Sequence, residues 1–150
     1  MRRKALVFFV AAATLPVAVS QAAPAAHTAT GTKLQLHQSG LGRILVNGRA
    51  STVYVFTSDS RRRDMCVTVS GCTSVWPPVI SHGRLTLGQG VKRSRVGTIM
   101  LPNGTRQVTY AGHPLYTYAA DAGPAQTGYV GVEEFGGTWY AIGASGRILK

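Results

Sequence analysis

The chain has 150 residues, a length typical of one domain, and carries 16 Lys and Arg against 5 Asp and Glu, a formal net charge of +11. So few acidic residues leave little material for acid–base catalysis, and the basic excess favours anionic partners. The 18 glycines disfavour a helical protein, because glycine weakens helices.

The first 22 residues are predicted to be a signal peptide. A basic start at residues 2–4 precedes an almost unbroken apolar run over residues 5–19, which is too short to span a bilayer comfortably. Small residues at 20–22 fit cleavage before Ala23, and residues 23–25 offer a second site. The sequence therefore predicts a secreted, extracytoplasmic protein.

Removal of the signal would change the charge and the anchoring of the protein. The three basic residues of the signal are lost with no acidic residue, so 13 basic and 5 acidic residues remain, a net charge of +8. No cysteine lies near the predicted cut, where a bacterial lipoprotein needs one. The mature protein is therefore expected not to be lipid-anchored.

After the signal, residues 23–32 contain Ala, Pro, Thr and Gly with one His and are predicted to be a flexible lead-in. From Lys33 onward, short segments alternate apolar and polar residues or are rich in β-branched and aromatic residues, which is typical of strands. The predicted strands are residues 33–37, 44–46, 52–57, 95–101, 105–110, 115–118 and 138–142.

Turn dipeptides separate these segments. Asn47-Gly48 follows residues 44–46, and Asn103-Gly104 lies between residues 95–101 and 105–110, which predicts a hairpin. No segment beyond the signal has a clean helical period. The sequence predicts a small, single all-β domain over residues 33–150, with a sandwich or barrel-like architecture.

The two cysteines, Cys66 and Cys72, are expected to form a structural disulfide, because an exported protein meets an oxidising environment. A metal-thiolate pair and a redox pair are the alternatives. The C-x5-C spacing differs from the C-x-x-C spacing of redox and zinc motifs, which favours the disulfide.

The domain contains an internal repeat. Residues 54–59 and 116–121 both follow the pattern Tyr-x-aromatic-x-x-Asp, and Trp76 and Trp139 follow the two aspartates at 17 and 18 residues. We expect two pseudo-symmetric β units, at about residues 44–94 and 95–150, packed together because neither could bury a sufficient core alone. The motif residues are Tyr54, Phe56, Asp59, Tyr116, Tyr118 and Asp121.

The motif has a physical interpretation. In an extended strand, the tyrosine and the aromatic residue two positions later point to the same face. The aspartate would lie where the strand ends, and there its carboxylate can accept backbone N–H bonds and shape a turn. Both aspartates are therefore expected to have a structural role.

Between Gly48 and Tyr140 the chain resembles a bacterial family described as secreted repeats of unknown function, also as predicted lipoproteins with this motif. The resemblance rests on the six motif residues and, in the first unit, on Cys66, Cys72 and residues 76–78. In the second unit it includes residues 107–110, 112, 114–116, 128 and 139–140. It implies an extracytoplasmic location and no settled activity. Many relatives are lipid-anchored, and this chain departs from them by lacking the lipidation cysteine.

Two basic clusters are the candidate binding residues: Arg61, Arg62 and Arg63 in one, and Lys92, Arg93 and Arg95 in the other. Both are predicted to lie in loops, and the alternative to a binding role is that they are solvated loops with no partner. An anionic cell-wall polymer or lipid headgroups are the expected partners, and nucleic acid is not expected because the protein is exported.

The favoured function is a non-catalytic, extracytoplasmic binding or envelope-associated module, with no catalytic residue, metal ligand or cofactor assigned. The alternative is a metal, haem or redox carrier, since sulfur and imidazole suit copper, although the four histidines lack ligand spacing. A hydrolase using Asp59 and Asp121 is the third possibility, because glycoside hydrolysis uses two carboxylates.

Overall fold

A computed structural model describes residues 32–150 as three small β-sheets and three single helical turns. The strands are β1 (Lys33–Ser39), β2 (Gly42–Asn47), β3 (Tyr54–Phe56), β4 (Thr86–Leu87), β5 (Val96–Met100), β6 (Arg106–Tyr110), β7 (His113–Pro114), β8 (Glu133–Glu134), β9 (Gly137–Ile142) and β10 (Ile148–Leu149). The helical turns are Cys66–Thr68, Cys72–Val75 and Arg93–Arg95. The predicted all-β class is confirmed, and the strands of this part of the chain do not close into a barrel.

The predicted signal peptide and residues 23–31 of the predicted lead-in lie outside the described residues. The limits of the two predicted units stay a prediction. None of the three helical turns has the length and hydropathy that a bilayer-spanning helix needs.

The first sheet has the strand order β2-β1-β4. Strands β1 and β2 form an antiparallel hairpin in which Leu36 pairs with Leu45, and β4 adds to β1 in parallel. Three successive residues of β2, Ile44, Leu45 and Val46, are almost completely buried. Because both faces of β2 are covered, this strand lacks the apolar–polar alternation of β1.

The second sheet has the order β10-β9-β3, with β8 pairing with β9 as well. Val55 pairs with Tyr140 and Phe56 pairs with Trp139, so the strand of the first motif lies beside the strand that carries the second tryptophan. Aromatic and β-branched side chains pack well across neighbouring strands. This pairing joins residues more than 80 positions apart in the chain.

The third sheet has the order β5-β6-β7. The hairpin predicted from Asn103-Gly104 is confirmed: Met100 pairs with Arg106, and Gly104 has a φ of 81° that suits glycine. The strand predicted over residues 115–118 is not formed as a ladder. Tyr116 instead makes isolated bridges to Tyr54 and to Pro78, because it is inserted between two different segments.

The core consists of two large clusters and a small one. A mainly aliphatic cluster draws on all three sheets and includes Leu34, Leu45, Val108 and Ile142. An aromatic cluster lies beside it and contains Tyr54, Phe56, Cys66, Cys72, Trp76, Tyr116 and Trp139. The repeated motif supplies Tyr54, Phe56 and Tyr116 of this cluster, and the two tryptophans and the two cysteines supply the rest.

Candidate functional site

The two motif tyrosines face each other at the centre of the molecule. The Tyr54 N–H donates to the Tyr116 carbonyl at 2.9 Å, and the Tyr116 N–H donates to the Tyr54 carbonyl at 3.0 Å. Both side chains are fully buried. The backbones at these equivalent positions of the repeat thus exchange identical hydrogen bonds.

Each tyrosine hydroxyl points to the aspartate of the other motif. The Tyr116 hydroxyl donates to Asp59 Oδ2 at 2.8 Å. The Tyr54 hydroxyl lies 3.5 Å from Asp121 Oδ1 and 3.2 Å from the Gln126 carbonyl. Since an O–H···O bond is usually 2.5–3.0 Å long, the exchange is strong on the Asp59 side and weak on the Asp121 side.

The predicted turn role, in which the aspartate accepts a backbone N–H, is seen at Asp59 and, among the described residues, not at Asp121. Asp59 Oδ1 accepts the backbone N–H of Met65 at 2.7 Å, which ties the end of β3 to the segment before Cys66. The bond to Asp121 comes from the Tyr54 side chain instead. Asp59 therefore links its own loop to the opposite motif. The described hydrogen bond to the Asp121 carboxylate comes from the opposite motif, through Tyr54.

Burial dominates the electrostatics of these carboxyl groups. Burial raises the pKa of Asp59 to about 7, although the bonds from Met65 and Tyr116 oppose the shift. Burial raises the pKa of Asp121 to about 6. Burial and the facing carboxylates raise the pKa of the Tyr54 and Tyr116 hydroxyls well above the ordinary range, so both tyrosines stay protonated donors.

Four aromatic rings form a column through the cluster. Phe56 stacks on Trp139 at 4.2 Å between ring centroids, Trp139 stacks on Trp76 at 4.0 Å, and Tyr118 packs against the far side of Trp76 at 4.7 Å. Each tryptophan belongs to one repeat and packs on a motif ring of the other, with nearly parallel planes at Trp139 and planes tilted by 45° at Trp76. The motif residues Tyr54, Phe56 and Tyr116 are thus part of the core, whereas Asp59, Tyr118 and Asp121 are half-buried. The hydrolase role suggested for the two aspartates stays a prediction.

The sequence analysis missed two contributors to the column. The Trp76 Nε1–H donates to Glu134 Oε2 at 3.0 Å, and Tyr129 packs on Tyr118. Glu134 follows its tryptophan by 58 positions, and no local spacing connects them.

The predicted disulfide is confirmed. Cys66 and Cys72 are bonded, with their Cα atoms 5.4 Å apart, and both are completely buried in the aromatic cluster. Neither sulfur is therefore a thiolate that could bind a metal. Across residues 32–150, no three His, Cys, Asp or Glu side chains are grouped closely enough to hold a metal ion.

The two basic clusters meet the same tight turn, Ala111-Gly112, between β6 and β7. The Arg62 N–H donates to the Gly112 carbonyl at 3.0 Å, and the Ala111 N–H donates to the Arg95 carbonyl at 2.8 Å. The Arg61 side chain lies over this turn, since a methyl group placed on Gly112 would be 3.7 Å from Arg61 Cγ. Residues about 30 positions apart are thereby brought to one region of the surface.

The exposure and electrostatics of this region fit a charged surface. Arg61–Arg63, Lys92 and Arg93 are exposed, and Arg95 is half-buried. The pKa of His113 beside the turn is lowered by burial and further by the positive charge of Arg61. The side-chain hydrogen bonds of Asp59, Asp121 and Glu134 within the described residues go to tyrosine, tryptophan or backbone groups, and none of these bonds involves an arginine.

Residues 97–142 match the model of a family described as a secreted repeat of unknown function. This segment spans β5 to β9 and contains the second motif and Trp139. Searches of curated proteins and of solved structures found no match.

Proposed function

We propose that this protein is a non-catalytic, extracytoplasmic module that binds anionic material of the cell envelope through its two basic clusters. The observation that carries the proposal is the convergence of both clusters on the Ala111-Gly112 turn, with five of their six residues exposed. Clustered cations attract polyanions more strongly than dispersed ones, because their potentials add.

The backbone of this region supports the same function. Arg62 has a φ of 65°, in the left-handed region that non-glycine residues rarely adopt, and Ala111 opposite it has a φ of 51°. The backbone hydrogen bond from the Arg62 N–H to the Gly112 carbonyl connects the two turns. A strained turn that presents three arginines is consistent with a binding role, since strain is commonly retained at functional sites.

The location also has support. The matched family is described as secreted, and a buried disulfide is typical of proteins outside the reducing cytoplasm. Both cysteines in the sequence are used in that disulfide, so the proposal takes the protein as not lipid-anchored.

The test is sedimentation of the purified protein with isolated bacterial cell walls and with phosphatidylglycerol vesicles. We expect binding at an ionic strength of about 0.01 M and its loss at about 1 M, where the Debye length falls from about 30 Å to about 3 Å. Absence of binding to both materials at low ionic strength would overturn the proposal.

Two matched variants separate the clusters from net charge. The first replaces four exposed cations of the clusters by Gln, at Arg61, Arg63, Lys92 and Arg93. The second replaces four exposed cations elsewhere, at Lys33, Arg43, Arg49 and Lys150. At about 1 kcal/mol for each of the four cations at an anionic surface, the first variant should bind on the order of a thousandfold more weakly, and the second should lose much less. Equal losses would show that net charge alone drives binding.

A further inference from the structure

A groove runs between the disulfide loop, residues 66–72, and the β5–β6 hairpin. It consists of two adjoining cavities of about 440 Å³ and 230 Å³, and both are lined by Val67, Leu101 and Pro102. Pro78 and Ile80 extend the apolar lining of the larger cavity. The combined space is in the range of sites that hold small ligands.

The smaller cavity carries the charge. Arg62 and Arg63 line it, and both are exposed. Asp64 also lines it, but this residue is only 5% exposed, and its Oδ1 accepts the Val67 N–H at 2.9 Å. Because the side chains of Arg62 and Arg63 are accessible and the carboxylate of Asp64 is covered, this end of the groove is positively charged. The other end is apolar.

An exposed apolar side chain borders the same groove. Met100 lines the smaller cavity and is 57% exposed. Val69 belongs to the disulfide loop that forms one side of the groove, although it lines neither cavity, and it is 36% exposed. These are the large hydrophobic residues that residues 32–150 leave exposed. Exposed apolar surface gathered at a groove is typical of a binding site.

We infer that this groove binds one molecule of a single-chain amphiphile with an anionic headgroup. The acyl or alkyl chain lies along Val67, Leu101 and Pro102, and the headgroup meets Arg62 and Arg63. The two arginines favour an anionic headgroup, and the apolar lining of the groove favours a hydrocarbon chain. The site shares two arginines with the proposed envelope-binding surface and adds a hydrophobic requirement that polymer binding lacks.

The test is isothermal titration calorimetry of the purified protein with dodecyl phosphate below its critical micelle concentration. We expect saturable binding at one molecule per protein. Butyl phosphate, which lacks most of the chain, and dodecyltrimethylammonium, which reverses the charge, should each bind at least about tenfold more weakly. Equal binding of butyl phosphate, or no saturable binding of dodecyl phosphate, would overturn the inference.

Variants locate the site. Thr105→Trp fills the larger cavity from an exposed position and should abolish dodecyl phosphate binding. Arg62→Asn with Arg63→Gln should weaken it at least about tenfold, since Asn tolerates the left-handed backbone at position 62. Lys33→Gln with Arg49→Gln removes the same charge elsewhere and should leave binding unchanged. Unchanged melting temperatures establish that the variants are folded.

The experiments can disprove the groove inference and the envelope-binding proposal independently of each other. Thr105→Trp should still bind cell walls in a salt-dependent manner, because it removes no charge. If dodecyl phosphate does not bind while walls do, the groove inference alone is wrong. If dodecyl phosphate binds and walls do not, the envelope-binding proposal alone is wrong.

Discussion

Tyr116 donates its hydroxyl hydrogen to Asp59 at 2.8 Å, from one copy of the motif to the carboxylate of the other. The two residues are 57 positions apart, and Asp59 also receives the Met65 N–H. One carboxylate thus joins the two motifs and fixes the entry to the disulfide loop. The two copies of the repeat are thus joined by hydrogen bonds from the tyrosine of one copy to the aspartate of the other.

The two tyrosine hydroxyls are expected to contribute unequally to stability. Tyr116→Phe leaves Asp59 Oδ2 without its 2.8 Å partner and should lower the free energy of unfolding by about 1–3 kcal/mol. Tyr54→Phe removes longer contacts, at 3.5 Å and 3.2 Å, and should cost about 1 kcal/mol or less. Urea unfolding of both variants measures the difference, and an equal cost would contradict it.

Stability should fall as pH rises toward neutrality, because of Asp59. Its pKa is raised from 3.8 to about 7, mainly by burial, so between these values the folded protein binds the proton more tightly than the unfolded chain. The contribution of this group is therefore complete below pH 3.8 and is lost as pH rises through about 7. Asp121, with a pKa raised to about 6, acts in the same direction.

The control for this pH dependence is Asp59→Asn, which keeps the shape and removes the titration. Melting temperatures of the natural protein and of this variant are compared from about pH 4 to about pH 8. The natural protein should lose more stability over this range than the variant. Parallel curves for the two proteins would exclude Asp59 as the source.

The tryptophan pair is expected to dominate the aromatic cluster. Trp76 and Trp139 are completely buried and stack with their planes 3° apart. Trp139→Ala should lower the free energy of unfolding by about 3–5 kcal/mol, the usual cost of truncating a buried large aromatic residue. Tyr140→Ala, at the next and half-buried position, should cost clearly less in the same urea experiment. A smaller loss at Trp139 than at Tyr140 would show that the column is not central to stability.

Reduction of the Cys66–Cys72 bond should destabilise the domain modestly. The bond closes a ring across only six positions, and the chain-entropy model assigns such a ring about 2 kcal/mol. The urea midpoint should fall when a reductant is present, after thiol titration shows that the bond has opened. The double variant Cys66→Ala, Cys72→Ala is the control, since its midpoint should not respond to the reductant. An unchanged midpoint in the fully reduced natural protein would contradict the prediction.

Local features of the sequence determined several parts of the fold. The alternation of Leu34 and Leu36 predicted β1, and Asn103-Gly104 predicted the β5–β6 hairpin, because side-chain period and turn geometry act between neighbouring residues. The disulfide was predictable for a related reason, since Cys66 and Cys72 are close in the chain. The repeat was also visible from spacing alone, but the sequence did not decide whether its aromatic residues form a core or line a site, because an alternating strand pattern places them on one face without showing what covers that face.

Only the tertiary structure decided which residues of the two copies meet. The Tyr116–Asp59 bond and the stacking of Trp76 on Trp139 depend on contacts between distant segments. The same holds for the contacts of Arg61, Arg62 and Arg95 with the Ala111-Gly112 turn. Residues 115–118 have a strand-like sequence and yet form no ladder, because Tyr116 bridges two different segments. Propensity and periodicity act within a few residues, whereas the packing of one copy against the other sets these contacts.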